Sequence, residues 1–149
     1  MPQDRIKLNE QITVGSQPDE AQLKHLVAEG FKSIINLRTD DEKDQVLSPV
    51  DEGDKAQHLG LMYEHLPVTA DGIKPAQVDR FREVVANMLP PVYVHCARGK
   101  RAAAMAIMQI AVAEGLSGDQ ALEKAQQMGC DCDSGELKEF VKSYIDSQR

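Results

Sequence analysis

From Val92 to Ala113 the chain passes, with no spacer, through three kinds of segment. Val92-Tyr93-Val94 is short and apolar, His95 to Arg101 (HCARGKR) is polar and basic, and Ala102 to Ala113 is a run of small and apolar residues with little charge. A short apolar strand suits the middle of a parallel sheet, where both faces are covered. A helix that is apolar on most sides must be buried on most sides. A strand running directly into such a helix calls for an α/β layer fold, with the helix laid on a sheet and covered in turn.

The remainder of the chain agrees, because strand and helix signals alternate with short connections. Ile12-Thr13-Val14 reads as a strand ending at Gly15, and Phe31–Leu37 and Leu61–Val68 read as two more. Pro67 marks the end of the last of these as an edge or a turn. A helix is expected from Pro18 to about Glu29, with Leu23, Leu26 and Val27 on its apolar face and Gly30 as its stop. Ser48-Pro49 opens another to about His58, although Gly53 interrupts it. Pro75 starts a third, with Val78, Phe81, Val84, Val85 and Met88 facing inward. Ser117-Gly118-Asp119-Gln120 and Asp133-Ser134-Gly135-Glu136 are capping boxes for two C-terminal helices, the last with Leu137, Phe140, Val141, Tyr144 and Ile145 on one stripe. The expected architecture is three-layered, a mostly parallel central sheet of four to five strands flanked by helices.

With 149 residues and 42% hydrophobic content, residues 1–149 are read as one domain able to bury one core. The net charge of −7 argues against general nucleic-acid binding, which needs a basic face to displace counterions. No stretch approaches the ~20 apolar residues of a membrane helix. MPQDRIKLNEQ has no leader core, so the cytoplasm is the default compartment, with the periplasm as the alternative had a leader been removed ahead of residue 1. Three cysteines make no disulfide framework, and the four histidines show no ligand spacing with them, so neither a metal nor a cofactor is expected. Nothing bears on oligomeric state.

The chemistry concentrates in the basic loop. A thiolate at a helix N-terminus is stabilised by the helix dipole and by unpaired backbone N–H groups. The same N–H groups cradle an anion, and Gly99 lets the backbone turn so that they point inward. Arg101, five positions after Cys96, can curl back as a planar fork for two phosphate oxygens. His95 either supports the cysteine through a hydrogen bond or packs beneath the loop.

These residues resemble the phosphate-binding loop of the protein tyrosine phosphatase superfamily, in its dual-specificity branch. Val14-Gly15-Ser16-Gln17-Pro18, Ile34-Ile35-Asn36-Leu37-Arg38 and His65-Leu66-Pro67-Val68 are similar to further landmarks of that branch. More narrowly, the chain resembles a bacterial phosphatase-like family that also occurs fused to metallo-β-lactamase-like hydrolase domains. The superfamily's usual spacing would place the arginine at position 102, which is Ala102. The shorter spacing to Arg101 is the narrow family's own. No Ser or Thr follows Arg101, and in the superfamily that hydroxyl helps the cysteine leave its phosphorylated form.

The resemblance implies a cysteine-dependent phosphatase that hydrolyses phosphate monoesters through a phosphocysteine. Cys96 would be the nucleophile and Arg101 the phosphate fork, with His95, Ala97, Arg98, Gly99 and Lys100 binding substrate. Asp71, 25 residues before Cys96 in an Asp-Gly turn, corresponds in placement to the superfamily's general acid. Asp40, Asp41 and Glu42 compete for that role, or are solvated loop charges. Arg98, Lys100 and Arg101 put three cations in four residues of an acidic chain, at a helix start that ordinarily favours acidic residues. Such a rim suits a substrate with more than one phosphate or a phosphorylated acidic peptide. A lipid headgroup is equally open. Cys130-Asp131-Cys132 reads as two loop thiols without a role. Two rivals stand beside the phosphatase: a rhodanese-type sulfurtransferase, whose loop resembles this one, and a phosphate-binding module without turnover.

Overall fold

In a computed structural model that describes residues 5–69, 72–130 and 135–149, five strands form one sheet in the order β1-β2-β5-β3-β4. They are β1 (Arg5–Lys7), β2 (Ile12–Gly15), β3 (Ser33–Asn36), β4 (Met62–His65) and β5 (Val92–His95). Only β1 runs antiparallel to its neighbour; the other pairings are parallel. Six helices accompany them among the described residues: α1 (Glu20–Ala28), α2 (Pro49–His58), α3 (Pro75–Asn87), α4 (Lys100–Glu114), α5 (Gly118–Gln127) and α6 (Gly135–Ser147). No helix among the described residues is long and apolar enough to cross a membrane.

Period-two alternation in the strands divides the interior into two. Ile34 and Tyr93 face one side, where Leu23 and Leu26 of α1 and Ala56 of α2 cover them. Ile12, Val14, Ile35, Val92 and Val94 face the other, under Phe81 of α3, Met105 of α4 and Ile145 of α6. The helix that opened the sequence reading, α4, is buried from Arg101 through Met108 and again at Ile110 and Ala111.

Three local expectations are amended. Asp19, not Pro18, begins α1, in a capping box with Gln22, because its carboxylate can accept the Gln22 N–H at 2.8 Å. Val27 is 37% exposed and lies off the buried stripe of Leu23 and Leu26. Strand β1 carries no apolar alternation and its residues are half-buried or exposed, so its sequence gives no strand signal. The Ser117–Gln120 box caps α5 as expected, whereas Asp133 and Ser134 of the second box lie outside the described residues.

Gly53 has a packing reason. A Cβ there would sit 3.0 Å from two ring carbons of Tyr63, closer than side chains normally approach. The ring cannot readily retreat, because its hydroxyl donates to the Pro49 carbonyl at 3.1 Å and accepts from Asn36 Nδ2 at 3.0 Å. Helix propensity alone favours alanine over glycine by ~1 kcal/mol, but overpacking costs ~1–3 kcal/mol. Gly53→Ala is therefore expected to lose about 1 kcal/mol in urea denaturation. The same change in a Tyr63→Leu background should stabilise. Stabilisation in the wild-type background would show that Tyr63 does not confine Gly53.

Candidate active site

Strand register assembles the site. Gly15 and Asn36 both stand opposite His95, and His65 stands opposite Asn36. Four parallel strands thus end in line, and the segments that follow them meet at one carboxyl edge, where open α/β sheets bind ligands. Gln17 comes from the segment after β2, Arg38 and Glu42 from that after β3, Val68 from that after β4, and the Cys96–Arg101 loop from β5.

Cys96 is 1% exposed, at the floor of the loop. The Gly99 N–H donates to its Sγ at 3.1 Å. Gly99 has φ of 100°, a left-handed conformation in which a Cβ is strained, and it caps α4. Arg101, in the first turn of α4, turns its guanidinium back toward the cysteine.

The guanidinium is shared out edge by edge. Nη1 and Nη2 donate to the two Glu42 carboxylate oxygens at 2.6 and 2.9 Å, and Nη1 also donates to the Val68 carbonyl at 2.8 Å. Arginine has five N–H donors. Among the described residues Glu42 and Val68 take three, which leaves Nε and the second Nη2 hydrogen on one edge beside the Cys96 sulfur, a fork of the right shape for two oxygens of an anion. Arg101 is held in its charged form beyond the ordinary guanidinium, chiefly by its hydrogen bonds to Glu42 and further by the neighbouring Cys96 sulfur.

Glu42 is thus neither a solvated loop charge nor placed as a proton donor. Its hydrogen bonds from Arg101, helped by the Thr39 N–H and by Arg38, bring its carboxyl down to about 2. Asp41 is exposed and accepts from the Thr39 hydroxyl at 2.7 Å. Asp71, the acid implied by the family resemblance, lies outside the described residues.

A buried polar chain continues beneath the loop. Arg38 donates from Nε to Glu42 at 2.9 Å and from Nη1 to Gln17 Oε1 at 2.8 Å. Gln17 Nε2 donates to Glu52 Oε1 at 3.1 Å, and His95 Nε2 meets Glu52 Oε2 at 2.6 Å. Glu52 and His95 are both wholly buried. The His95 ring packs under the loop, and among the described residues its hydrogen bonds reach Glu52 and the Cys96 carbonyl rather than the cysteine sulfur. Sequence reasoning missed Gln17, Arg38 and Glu52 as site residues. The available signal was Glu52 itself, an acidic residue one helical turn before Ala56 on the covered face of α2.

Arg98 and Lys100 are exposed at the rim, and Ala97 is half-buried. Cys130 is buried, and Cys132 lies outside the described residues. Among the described residues no three His, Cys, Asp or Glu side chains gather as metal ligands.

A fold with this loop at this edge belongs to the protein tyrosine phosphatase-like class. Over 93% of this chain and 96% of theirs, it superposes with a TM-score of 0.78 and 25% identity on a candidate phosphatase from Neisseria meningitidis. P. aeruginosa TpbA shares the fold at a TM-score of 0.75 and 19% identity, over 97% of this chain and 87% of its own. The chain belongs to a particular family within that class, the DSP-PTPase phosphatases fused to NAD+ kinase, whose model matches residues 3–143. A β-lactamase hydrolase-like protein of Agrobacterium fabrum is 34% identical over 103 residues, 69% of this chain and 24% of that protein. The chain spans about a quarter of the length of such relatives.

The Glu42–Arg101 pair predicts an acid signature. A carboxyl whose pKa falls from 4.5 to about 2 on folding stabilises the fold fully above the unfolded value and loses that contribution as pH drops toward 2. Glu42→Gln should be less stable than wild type at pH 7 in urea titrations, with the gap closing between pH 4.5 and 2. A gap independent of pH would show that the carboxylate charge is not what Glu42 contributes.

Proposed function

We propose that this chain is a cysteine-dependent phosphatase that hydrolyses phosphate monoesters through a phosphocysteine intermediate. The observation that carries the reading is the Arg101 guanidinium beside Cys96, with its Nε–Nη2 edge taken by neither Glu42 nor Val68, at the carboxyl edge of a phosphatase-class sheet. The Cys96 thiolate attacks phosphorus, and the bond from phosphorus to the ester oxygen breaks. The Arg101 edge and the inward N–H groups of the loop hold the non-bridging oxygens as charge builds on them. Asp71 gives its proton to the departing alkoxide. Water then attacks the phosphocysteine, the P–S bond breaks, the thiolate returns, and Asp71 takes the proton back.

Cys96→Ser should abolish hydrolysis of p-nitrophenyl phosphate with the fold intact, because an un-ionised hydroxyl without a base is a poor nucleophile. Arg101→Lys should lower kcat/KM on the order of 100-fold, since a point charge cannot replace a bidentate fork. Near-wild-type turnover by the serine variant would remove Cys96 from the mechanism. Thiosulfate-to-cyanide transfer in place of hydrolysis would instead make the chain a sulfurtransferase. A phosphocysteine that forms and stays, with no second-step turnover, would make it a binding module. Ala102, where the superfamily has a hydroxyl, keeps that last outcome worth measuring. Since P. aeruginosa TpbA is known in complex with pTyr, phosphotyrosine is an apt first natural substrate to assay.

Asp71→Asn separates acid from scaffold. General acid catalysis is worth ~100- to 10,000-fold, so alkyl phosphates should lose that much while aryl phosphates with good leaving groups lose far less. The alkaline limb of the pH profile should flatten as well. Equal losses on both substrates would assign Asp71 to loop positioning.

A further inference from the structure

A concavity adjoins the loop on one flank. Glu42 and Val68 reach the loop from the β3 and β4 side, whereas this cavity of about 170 Å³ opens on the β1 and β2 side. Arg98, Gly99 and Lys100 form one wall, β1 and β2 supply Arg5, Ile6, Val14 and Gly15, and Ala103 and Cys130 close it. Gly99, whose N–H bonds the cysteine sulfur, is also part of the lining of this cavity.

The charge of this cup is unusual for its setting. The chain carries −7 overall, yet three of the residues lining the cup are cations. Arg5 is paired with Glu29 at 2.8 Å, and Arg38, Arg80, Arg82 and Arg101 each hold a carboxylate. Arg98 makes no hydrogen bond or ion pair among the described residues, although it too is set into the Cys96–Arg101 loop. The first turn of α4 has no acidic residue to balance it either. A cation so placed, against the helix dipole, fits an anion supplied from outside.

Size says what kind of anion. Pockets that enclose a whole small ligand run to ~300–1,000 Å³, so about 170 Å³ takes one group of a larger molecule. Ile6, Val14 and Ala103 offer apolar walls to a carbon skeleton. We propose that this cup is a second anion subsite, and that the substrate carries two phosphates on one small polyol scaffold, one over Cys96 and the other beside Arg98. The inference rests on the phosphatase reading above. It narrows the substrate class, and leaves the headgroup of a lipid and a free metabolite as two sources of the same chemistry.

The test compares glycerate 2,3-bisphosphate, fructose 1,6-bisphosphate and myo-inositol 1,4-bisphosphate with their monophosphates, as ratios of kcat/KM. Hydrogen bonds between charged partners are strong enough that at least one bisphosphate should be favoured by on the order of tenfold in the wild type. Arg98→Gln should bring that ratio close to one. Because Arg98 stands in the loop, Arg5→Gln provides a second reading from β1 and should lower the same ratio in part. Vesicles carrying phosphatidylinositol 4-phosphate show the source: Arg98-dependent hydrolysis there supports the lipid form, and hydrolysis of soluble bisphosphates alone supports the free form. No preference for any bisphosphate, a preference that survives both variants, or an acidic phosphopeptide turned over faster than every bisphosphate would each overturn the proposal. If the wild type hydrolyses nothing, including p-nitrophenyl phosphate, the phosphatase reading has failed. Calorimetric binding of the same pairs to Cys96→Ser, with and without Arg98→Gln, then decides the subsite independently.

Discussion

The site depends on one constraint, the level alignment of β2, β5 and β3 at Gly15, His95 and Asn36. Because these ends coincide, segments far apart in sequence leave the sheet side by side. A slip of one residue in β5 would turn Tyr93 from the α1–α2 side to the other and carry His95 away from Glu52. Tyr93 opposes such a slip twice, by full burial and by a 2.7 Å hydrogen bond from its hydroxyl to the Ser16 carbonyl. The apolar core thus sets the register, and the register sets the distance from Cys96 to everything that surrounds it.

The polar chain beneath the loop is costly to bury and therefore informative. Withdrawing a carboxylate from water costs several kcal/mol unless its oxygens are partnered. Glu52 meets that requirement with one oxygen toward Gln17 and the other toward His95, and Glu42 meets it with Arg38, Arg101 and the Thr39 N–H. Each link fixes the next, so the residue preceding Cys96 and the guanidinium beside it belong to one continuous hydrogen-bonded structure. Networks of this kind rigidify when every member is satisfied. The guanidinium beside Cys96 is thereby held in one orientation before any ligand arrives.

Legibility in the sequence follows the range of each interaction. Cys96, Gly99 and Arg101 are neighbours, and their joint chemistry can be read from a six-residue window; the strand and helix on either side are equally plain from pattern. Glu42 could not be read in this way, because it meets Arg101 across 59 residues and looks like one more acid in a polar loop. Glu52 pairs with His95 across 43 residues. Its only local mark is a charge on the buried side of a helix already weakened by a glycine. That glycine was legible only as a defect until Tyr63 was found against it. Strand β1 escaped notice because an edge strand with half-exposed residues needs no apolar alternation.

The position of Arg101 shows how the shorter loop still brings a guanidinium to the cysteine. Side chains in a helix lean toward its N-terminus, so an arginine in the first turn reaches back over the residues before it. With Gly99 reversing the chain in a left-handed conformation and α4 beginning at Lys100, Arg101 falls in that turn and its guanidinium lies over Cys96. A cation there opposes the helix dipole, and α4 has no acidic residue of its own in the first turn. Glu42 supplies the missing negative charge from another strand's connection. By binding the Nη1–Nη2 edge it offsets that unfavourable placement and leaves the Nε–Nη2 edge clear of its own oxygens. One carboxylate therefore does for this loop, through tertiary structure, what an acidic N-terminal residue does for an ordinary helix through sequence. Arg98 receives no such partner among the described residues, so Arg101 is the loop arginine whose charge the described residues offset.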